Sequence, residues 1–559
     1  MLNRMFLRNQ ARVSGRSAGS FGLVFHRGGG MKKGIVWLAG IFLVALLSGN
    51  WCAGAGSKLE LCSLLSDHAV LQQGMAIPVW GWAEPDAEVS LSFAGQTVKV
   101  KADPDGRWQA RLAPLSASKT SLEMTVRSGQ QSLVVRDILV GEVWLCSGQS
   151  NMALTVSSCL NPEQEKAGGN QPLIRHFRVP LLHSAWPEEK VTGSWQVCSP
   201  EVVAGFTATG YFFAREIVKE LGVPVGIVNC SWGGTRIEPW ICPQGYSRVP
   251  QLKDLNQRVQ AADPSTEAGR KHYLAYLEEL KNWIEKARVQ VEAGQNLPKP
   301  PAVPWIDGDQ QQPTRIYNAM VHPLVSWAIR GVLWYQGESN GSEGESYYHK
   351  MRALIEGWRT VWNQGDFSFY FVQLPNFQYS DPKNAAGGDG WTLLREAQLK
   401  CLEIPRTGMA VTIDIGEAKD IHPKNKQDVG KRLARLALAG DYGRSLVPTG
   451  PLYKRHVVEG NKIRIFFDNV GQGLMVGRKD GLAPVEEVPG GRLSWFSIAG
   501  EDRKFVPAEA VIDGATVVVS SPGVPKPVAV RYAFAMNPAG CNLYNREGFP
   551  ASPFRTDNW

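Results

Sequence analysis

The chain has 559 residues, too many for one ordinary hydrophobic core, so two or three domains are expected. It is 43% hydrophobic and 20% charged, which is the composition of a folded globular protein and excludes disordered and fibrous classes. The formal net charge of +8 is spread along the chain, without a dense run of lysine and arginine and without zinc-finger spacing, so nucleic acid is not expected as a partner.

Residues 1–55 are predicted to be an N-terminal extension followed by a signal peptide. Residues 31–33 form a short basic region, residues 34–47 are almost wholly apolar, and residues 53–55 supply the small side chains that a signal peptidase needs. The apolar run is short for a membrane span, which needs ~20 residues. We therefore expect an exported protein, periplasmic or extracellular, without stable membrane insertion after cleavage. We also hypothesise that translation begins at Met31.

Residues 59–137 are predicted to form an N-terminal β-sandwich. Short runs with alternating apolar residues, such as Ile77–Trp82 and Val89–Phe93, are separated by turn residues, as in small antiparallel sandwiches. Asp103 and Asp105 could belong to a calcium loop, but no later acidic residue completes that motif. A plain turn is the better interpretation.

Residues 138–445 are predicted to form an α/β domain, because short continuous apolar runs alternate with helical stretches. Such runs are typical of parallel strands buried on both faces. The predicted strands are Val143–Cys146, Val225–Cys230, Gly331–Tyr335, Phe367–Leu374 and Met409–Ile415. The predicted helices are Tyr211–Leu221, Tyr347–Val361, Leu393–Leu402 and Lys426–Leu438.

Two regions depart from this alternation. Residues 251–304 are predicted to be a helical insert, since Gln251–Gln295 is charged with one apolar face and a proline-rich stretch closes it. The insert is either a structural prop or a lid. Residues 446–559 are predicted to be a C-terminal β unit, with β-patterned runs at 462–467 and 515–520, and a tail that packs back on the core.

The nine cysteines contain no C-x-x-C pair, so no metal site of that kind is predicted. Export would permit disulfides, but the spacing does not assign pairs. Cys146 and Cys230 lie in apolar runs and are predicted to be buried small hydrophobic residues.

Polar clusters follow the predicted parallel strands, at the edge where ligands bind in open α/β sheets. After the first strand, Ser150 lies where a strand turns into a helix, so its hydroxyl can project and its N–H can face a developing oxyanion. Polar capping of a helix start would give a similar pattern. After the second strand, Gly233 and Gly234 can present N–H donors to a ligand, or simply form a tight turn.

The third and fourth clusters add an amide, carboxylates and an imidazole. Gln336 could donate to an oxyanion, and Glu338 could act in catalysis or hold the loop. Residues two apart in an extended segment point the same way, so Asp420 can orient His422. The order Ser, Asp, His is one of the known orders of the catalytic triad.

The segment Gly141–Cys146 leading into Ser147–Met152 resembles the signature of the sialate O-acetylesterase family, carbohydrate acetylesterases related to the GDSL or SGNH hydrolases. The resemblance extends from about Leu61 to Trp559. The further matching stretches are Gly233–Thr235 with Asn229, Trp334–Asn340, Asp420–Pro423 with Lys426–Leu438, and Asn542–Arg555.

The resemblance implies a flavodoxin-like, three-layer SGNH-type hydrolase domain with flanking β-sandwich-like domains. It implies hydrolysis of O-acetyl esters on a carbohydrate without a cofactor or a metal. It places the nucleophile on Ser150 and the base on His422.

Two departures from the wider GDSL group affect the predicted site. Gln149 stands where an acidic residue usually precedes the serine, and Asp420 precedes the histidine by two positions where three are common. The altered spacing leaves the orienting acid open: Asp420 is the first candidate, with Asp414 and Glu417 as substitutes. The residues predicted to bind substrate or support the site are Gln149, Asn151, Glu338 and Asn340.

The sequence thus predicts an exported serine esterase acting on O-acetylated sialic acid. One alternative is an acetylesterase acting on xylan or another plant polysaccharide. A second is a non-catalytic carbohydrate-binding protein, favoured by the β regions and nineteen tryptophans. A lipase is disfavoured because the glycine that closes the Gly-x-Ser-x-Gly elbow is absent after Ser150. The oligomeric state is left open.

Overall fold

An eleven-stranded sheet runs through the protein, seen in a computed structural model that describes residues 58–381 and 383–559. Six of its strands form a parallel array: β1 (Gln131–Gly148), β2 (Ile174–Arg178), β3 (Val225–Ser231), β4 (Gly331–Tyr335), β5 (Ser368–Val372) and β6 (Thr407–Ala410). Their spatial order is β2-β3-β1-β4-β5-β6. The predicted signal peptide and extension lie outside the described residues.

Burial on both faces explains why these strands read as continuous apolar runs. Val143 and Leu145 belong to one hydrophobic core, whereas Trp144 and Cys146 belong to another. Successive side chains of a strand point to opposite faces, so the two cores lie on the two sides of the sheet. The five strand predictions are confirmed, although β6 ends at Ala410 and the chain continues to Ile415 as a loop.

Helices cover both faces of this sheet. The long helices are α1 (Ala208–Leu221), α2 (Lys253–Ala262), α3 (Glu267–Glu292), α4 (Glu345–Trp362), α5 (Gly390–Lys400) and α6 (Lys426–Gly440). Short helices occur at Ser150–Ala153, Pro162–Ala167 and Pro243–Arg248. Helices α1 and α6 share the core that contains Trp144, while α4 and α5 share the core that contains Val143. The four predicted helices are confirmed.

Close packing between α1 and α6 depends on Gly430. A methyl group there would lie 2.5 Å from Phe212 Cβ, so only glycine permits this approach. The packing fixes the start of α6, which follows the loop containing His422.

Four N-terminal strands belong to the central sheet through β1, whereas Glu60–Leu61, Ile77–Trp82 and Arg107–Leu112 form a separate three-stranded sheet. The first half of β1 pairs antiparallel with Ser118–Ser128, and its second half joins the parallel strands. Strand β1 therefore crosses the boundary predicted at residues 137 and 138. The other N-terminal strands are Glu60–Leu61, Val70–Gln72, Ile77–Trp82, Glu88–Phe93, Gln96–Lys101 and Arg107–Leu112. A turn at residues 103–106 is confirmed by the bond from Gly106 N–H to the Asp103 carbonyl.

The insert contains α2 and α3, as its pattern predicts. Its apolar face is only partly covered: Tyr273 and Tyr276 are half-buried, whereas Leu277 is 55% exposed. Beyond α6 the chain returns to strands at the predicted places. They are Leu452–Glu459, Lys462–Asp468, Leu474–Arg478, Glu486–Glu487, Phe496–Ala499, Val506–Pro507, Glu509–Asp513, Thr516–Ser520, Ala529–Tyr532, Leu543–Asn545 and Phe554–Arg555.

All eight cysteines within residues 58–559 are buried free thiols, which confirms the interpretation of Cys146 and Cys230. Among the described residues, no helix is long and apolar enough to span a bilayer. The same residues contain no group of three or more histidine, cysteine, aspartate or glutamate side chains arranged to hold a metal ion.

Candidate active site

Three parallel strands end at the same level and place the predicted clusters together. Gly148, near the end of the β1 ladder, pairs with Ser231 of β3 and with Tyr335 of β4. Gly148 has φ +132°, and a methyl group on it would lie 2.2 Å from the Tyr335 carbonyl oxygen. A side chain is therefore excluded at this position. The chain then turns into the short helix that begins at Ser150.

Ser150 and His422, 272 residues apart in sequence, are in hydrogen-bond contact. The distance from Ser150 Oγ to His422 Nε2 is 2.9 Å. Burial lowers the pKa of His422 below 6.5; attraction to Asp420 opposes the shift and repulsion from Lys426 adds to it. The imidazole is therefore largely neutral at pH 7, the form that can accept the serine proton.

Of the three carboxylates considered for orienting the imidazole, the structure brings Asp420 to it. Asp420 Oδ1 accepts the backbone N–H of His422 at 2.9 Å and lies 3.6 Å from Nδ1, too far for a hydrogen bond to the ring. Asp414 instead forms a bidentate ion pair with Arg432, with nitrogen-to-oxygen distances of 2.6 and 2.7 Å. Glu417 accepts the backbone N–H of Lys424 at 2.8 Å. Neither substitute contacts His422.

The glycine loop after β3 lies against Ser150. A methyl group on Gly233 would be 3.4 Å from Ser150 Cβ, so this backbone borders the serine directly. Among the residues described, no protein acceptor binds the N–H of Ser150 or of Gly233. Two free N–H groups beside a serine hydroxyl are the donors that an oxyanion requires.

Gln311 holds the glycine loop and was missed by the sequence reasoning. Its Nε2 donates to the Gly234 carbonyl at 2.9 Å, and its Oε1 accepts from Arg236 N–H at 3.0 Å. One amide thus fixes both sides of the turn. A lone glutamine in a polar loop, 77 residues from its partner, gives no sequence pattern to detect.

Gln336 does not reach the serine, in contrast to its predicted place in the oxyanion hole. Its Nε2 is within bonding distance of three protein acceptors: Gln149 Oε1 at 3.1 Å, the Thr235 carbonyl at 3.2 Å and Asn340 Oδ1 at 2.8 Å. Its Oε1 accepts from Tyr347 at 2.8 Å. An amide has two hydrogens, so none remains for an oxyanion.

Gln149 and Asn340 share this buried scaffold. Gln149 Oε1 also accepts the Ser339 N–H at 3.2 Å, and Asn340 Oδ1 also accepts the Ile237 N–H at 3.0 Å. The scaffold joins the ends of β1, β3 and β4. Both side chains therefore support the site: their amide oxygens accept from protein groups, and Asn340 Nδ2 donates to Glu238 and Glu343.

A second network lies beneath the serine and centres on Asn151. Its Nδ2 donates to Glu338 Oε1 at 2.5 Å and to the Ile421 carbonyl at 3.0 Å, while its Oδ1 accepts from Lys426 Nζ at 2.6 Å. One amide thus joins the segment after β1 that contains Ser150, the end of β4, the histidine loop and the first residue of α6.

Lys426 is fully buried and was identified from sequence only as a helix start. Burial lowers its pKa to about 7, opposed by attraction to Glu338, Glu417 and Asp420. Burial raises the pKa of Glu338, opposed in part by its bond from Asn151 and by Lys426. An ammonium this close to the histidine loop also disfavours protonation of His422.

A serine hydroxyl bonded to a neutral imidazole, beside unoccupied N–H donors at a strand end, is the arrangement that serine hydrolases use for acyl transfer. The family model for carbohydrate esterases, sialic acid-specific acetylesterase, matches residues 140–298 and 303–439.

Proteins that this chain resembles are named for the same chemistry. A carbohydrate acetylesterase from Xanthomonas citri has 38% identity, covers 90% of this chain and 100% of its own, and superposes with a TM-score of 0.72. Sialate O-acetylesterase of Mus musculus is 29% identical over 74% of this chain and 79% of its own length. The Homo sapiens protein of the same name is 27% identical over 92% and 95%.

The chain belongs to the sialic acid-specific acetylesterase family of carbohydrate esterases. It is accordingly a carboxylic ester hydrolase with a mixed α/β fold.

Proposed function

We propose that this protein is an exported serine esterase that removes O-acetyl groups from carbohydrates, with O-acetylated sialic acid as the favoured substrate. The observation that carries the proposal is the 2.9 Å contact between Ser150 Oγ and His422 Nε2 beside the free N–H groups of Ser150 and Gly233. Export is supported by the basic, apolar and small-residue pattern of residues 31–55.

In the first half of the reaction, His422 takes the proton from Ser150 as the hydroxyl oxygen attacks the acetyl carbonyl carbon. The negative charge on the carbonyl oxygen is stabilised by the N–H groups of Ser150 and Gly233, with Gly234 continuing the same loop. Asp420 stabilises the imidazolium by its charge and fixes the residue through its backbone N–H. Gln336 acts indirectly, by holding the three strand ends.

Collapse of the tetrahedral intermediate breaks the bond between the acyl carbon and the sugar oxygen, and His422 returns the proton to that oxygen. The acetyl group is now on Ser150. Water then attacks this ester with His422 again as base, and acetate leaves as the serine recovers its proton. The cycle thus uses the side chains of Ser150, His422 and Asp420, the two backbone N–H groups and water.

We further propose a flavodoxin-like, three-layer SGNH-type hydrolase domain at 138–445, with flanking β units at 59–137 and 446–559. It is supported by the six parallel strands with cores on both sides and by the polar clusters at their carboxyl ends. Strand β1 would then belong to two domains.

The choice of sugar rests on the relatives. The mammalian proteins are named for sialate, which favours sialic acid, whereas the Xanthomonas protein is named only a carbohydrate acetylesterase. Acetylated xylan or another plant polysaccharide would undergo the same chemistry, so it stays the second candidate.

The test is to measure acetate release by the mature protein from O-acetylated sialic acids and from acetylated xylan, with Ser150→Ala as control. We expect release from at least one substrate and none from the control. Absence of release from both, from mildly acid to alkaline pH, would refute the esterase proposal. Release only from xylan would replace sialic acid with the second candidate.

A further inference from the structure

A series of aromatic rings leads from the glycine loop beside Ser150 onto the helical insert. It begins at Trp232, the residue before Gly233. The ring centroids of Trp232 and His183 are 6.2 Å apart. Three residues further on, Trp186 lies 6.1 Å from both Tyr273 and Trp305. A final pair, Tyr276 and Trp305, is 6.2 Å apart. We call the six residues Trp232, His183, Trp186, Tyr273, Trp305 and Tyr276 the aromatic surface.

The aromatic surface belongs to the same edge of the sheet as Ser150. The segment containing His183 and Trp186 leaves the carboxyl end of β2, and Trp232 follows the carboxyl end of β3. Trp305 is six residues before Gln311, which bonds to the glycine loop. The chain therefore connects the aromatic surface to the glycine loop beside Ser150 at Trp232 and, through Gln311, at Trp305.

Exposure of Trp186 is unusual for this chain. It is 42% exposed, which makes it the most exposed of the tryptophans that the structure describes. Large aromatic side chains contribute strongly to packing when buried, so an exposed one on the same edge of the sheet as Ser150 suggests a binding role.

The backbone that presents Trp186 is held in place. Asn318, itself buried, donates from Nδ2 to the carbonyls of Ser184 and Ala185 at 3.2 and 3.1 Å. The Ser184 N–H donates to the Arg315 carbonyl at 3.0 Å. A fixed backbone under an exposed ring lowers the ordering cost of binding.

We infer that the aromatic surface binds the sugar chain to which the acetylated residue is attached, so that the preferred substrate is an oligosaccharide or polysaccharide. This inference rests on the proposed function. Sugar rings present flat C–H faces that pack on aromatic side chains, and their hydroxyls need hydrogen-bond partners at the edges. In the described part of the protein no acceptor binds the indole N–H of Trp186 or Trp305, so both remain available for such hydroxyls.

The experiment compares each acetylated sugar alone with the same sugar inside a chain. The substrate pairs are O-acetylated sialic acid against a trisaccharide that ends in it, and acetylated xylose against acetylated xylotetraose. For the pair that the enzyme hydrolyses, Trp186→Ala should raise KM for the chain about tenfold and change KM for the single sugar less than about twofold. Trp186→Phe keeps a ring and should stay within about threefold of the parent on both substrates.

A second variant guards against misfolding. Trp305→Ala, checked with Trp186→Ala for an unchanged Tm, should show the same selective effect on the chain. An equal change for both members of the pair, or no change for the chain, would overturn the inference. If the parent enzyme hydrolyses no sugar ester at all, the proposed function fails, and the inference fails with it.

Discussion

Two strand ends in this protein carry nearly the same polar sequence and do different work. Gln149, Ser150 and Asn151 follow β1, while Glu338, Ser339 and Asn340 follow β4. At the first end the serine hydroxyl contacts His422. At the second end, the backbone N–H of the serine binds Gln149, and the amide beside it is buried in the scaffold.

The difference lies in which groups the fold leaves free. Both ends have buried amides bonded to protein. Within residues 58–381 and 383–559, only the first presents a hydroxyl next to an imidazole and an N–H without a protein partner. Residue type alone does not separate a reactive strand end from a supporting one. Substitutions at the two strand ends and in the networks behind them test that separation.

Replacement of each of the two serines by alanine gives the most direct test. Ser150→Ala should lower kcat by about 10⁴-fold or more, because the nucleophile is lost. Ser339→Ala keeps the N–H that binds Gln149 and should change kcat less than about twofold. Acetate release measured for both variants decides the matter; similar losses in the two would contradict the division of roles.

Gly148 allows the first strand end to come close to the second. Gly148→Ala should lower the free energy of unfolding by about 3 kcal/mol, because the new methyl group would meet the Tyr335 carbonyl and φ is +132°. Gly95→Ala is the matched control, since its φ is +76° and its surroundings are open. It should cost about 1 kcal/mol. Urea unfolding of both proteins compares them, and equal losses would show that the close approach is unimportant.

Lys426 and Asp420 should shift the acid limb of activity in opposite directions. His422 must be neutral to act as base, so kcat/KM falls as pH drops through its pKa. Lys426→Met removes a charge that lowers this pKa, so the limb should move to higher pH, with a loss of about 10²-fold because Asn151 loses its donor. Asp420→Asn removes a charge that raises the pKa, so the limb should move to lower pH.

The pH dependence of kcat/KM for both variants provides this measurement. Glu417→Gln serves as the control for Asp420, because Glu417 binds the Lys424 N–H and does not contact the imidazole. It should change kcat/KM less than about threefold. Shifts of the limb in the same direction for Lys426→Met and Asp420→Asn would contradict the assignment of these charges.

Gln311 should have the smallest effect of this set. Gln311→Ala frees the glycine loop and should lower kcat about tenfold with little change in KM, because an N–H donor acts mainly on the transition state. The neighbouring Gln310→Ala is the control and should stay within about twofold. Steady-state kinetics on one acetyl ester suffices; a rise in KM at constant kcat would indicate a role in binding alone.

Much of the fold could be predicted because its causes are local. Strands β3 and β4 read as unbroken apolar runs since both faces are buried, and α6 was placed by its period along residues 426–438. The polar residues after these strands are also visible in the sequence, because they interrupt apolar runs.

Other features depended on contacts that no local pattern records. The sequence allows Asp414 as the orienting acid, but its carboxylate is paired with Arg432. It allows Gln336 in the oxyanion hole, but the Gln336 amide lies against three protein acceptors. Lys426 and Gln311 carry no distinctive spacing, so nothing in the sequence indicated that either belongs to the site.

By itself, the sequence determined the alternation of strands and helices, the family resemblance, and the candidates Ser150 and His422, because periodicity and motifs are written along the chain. Only the tertiary structure decided that these two meet at 2.9 Å and that Asp420 is the carboxylate beside them. It also decided which of two similar strand ends keeps its donors free. The physical reason is that hydrogen-bond satisfaction depends on neighbours far apart in sequence.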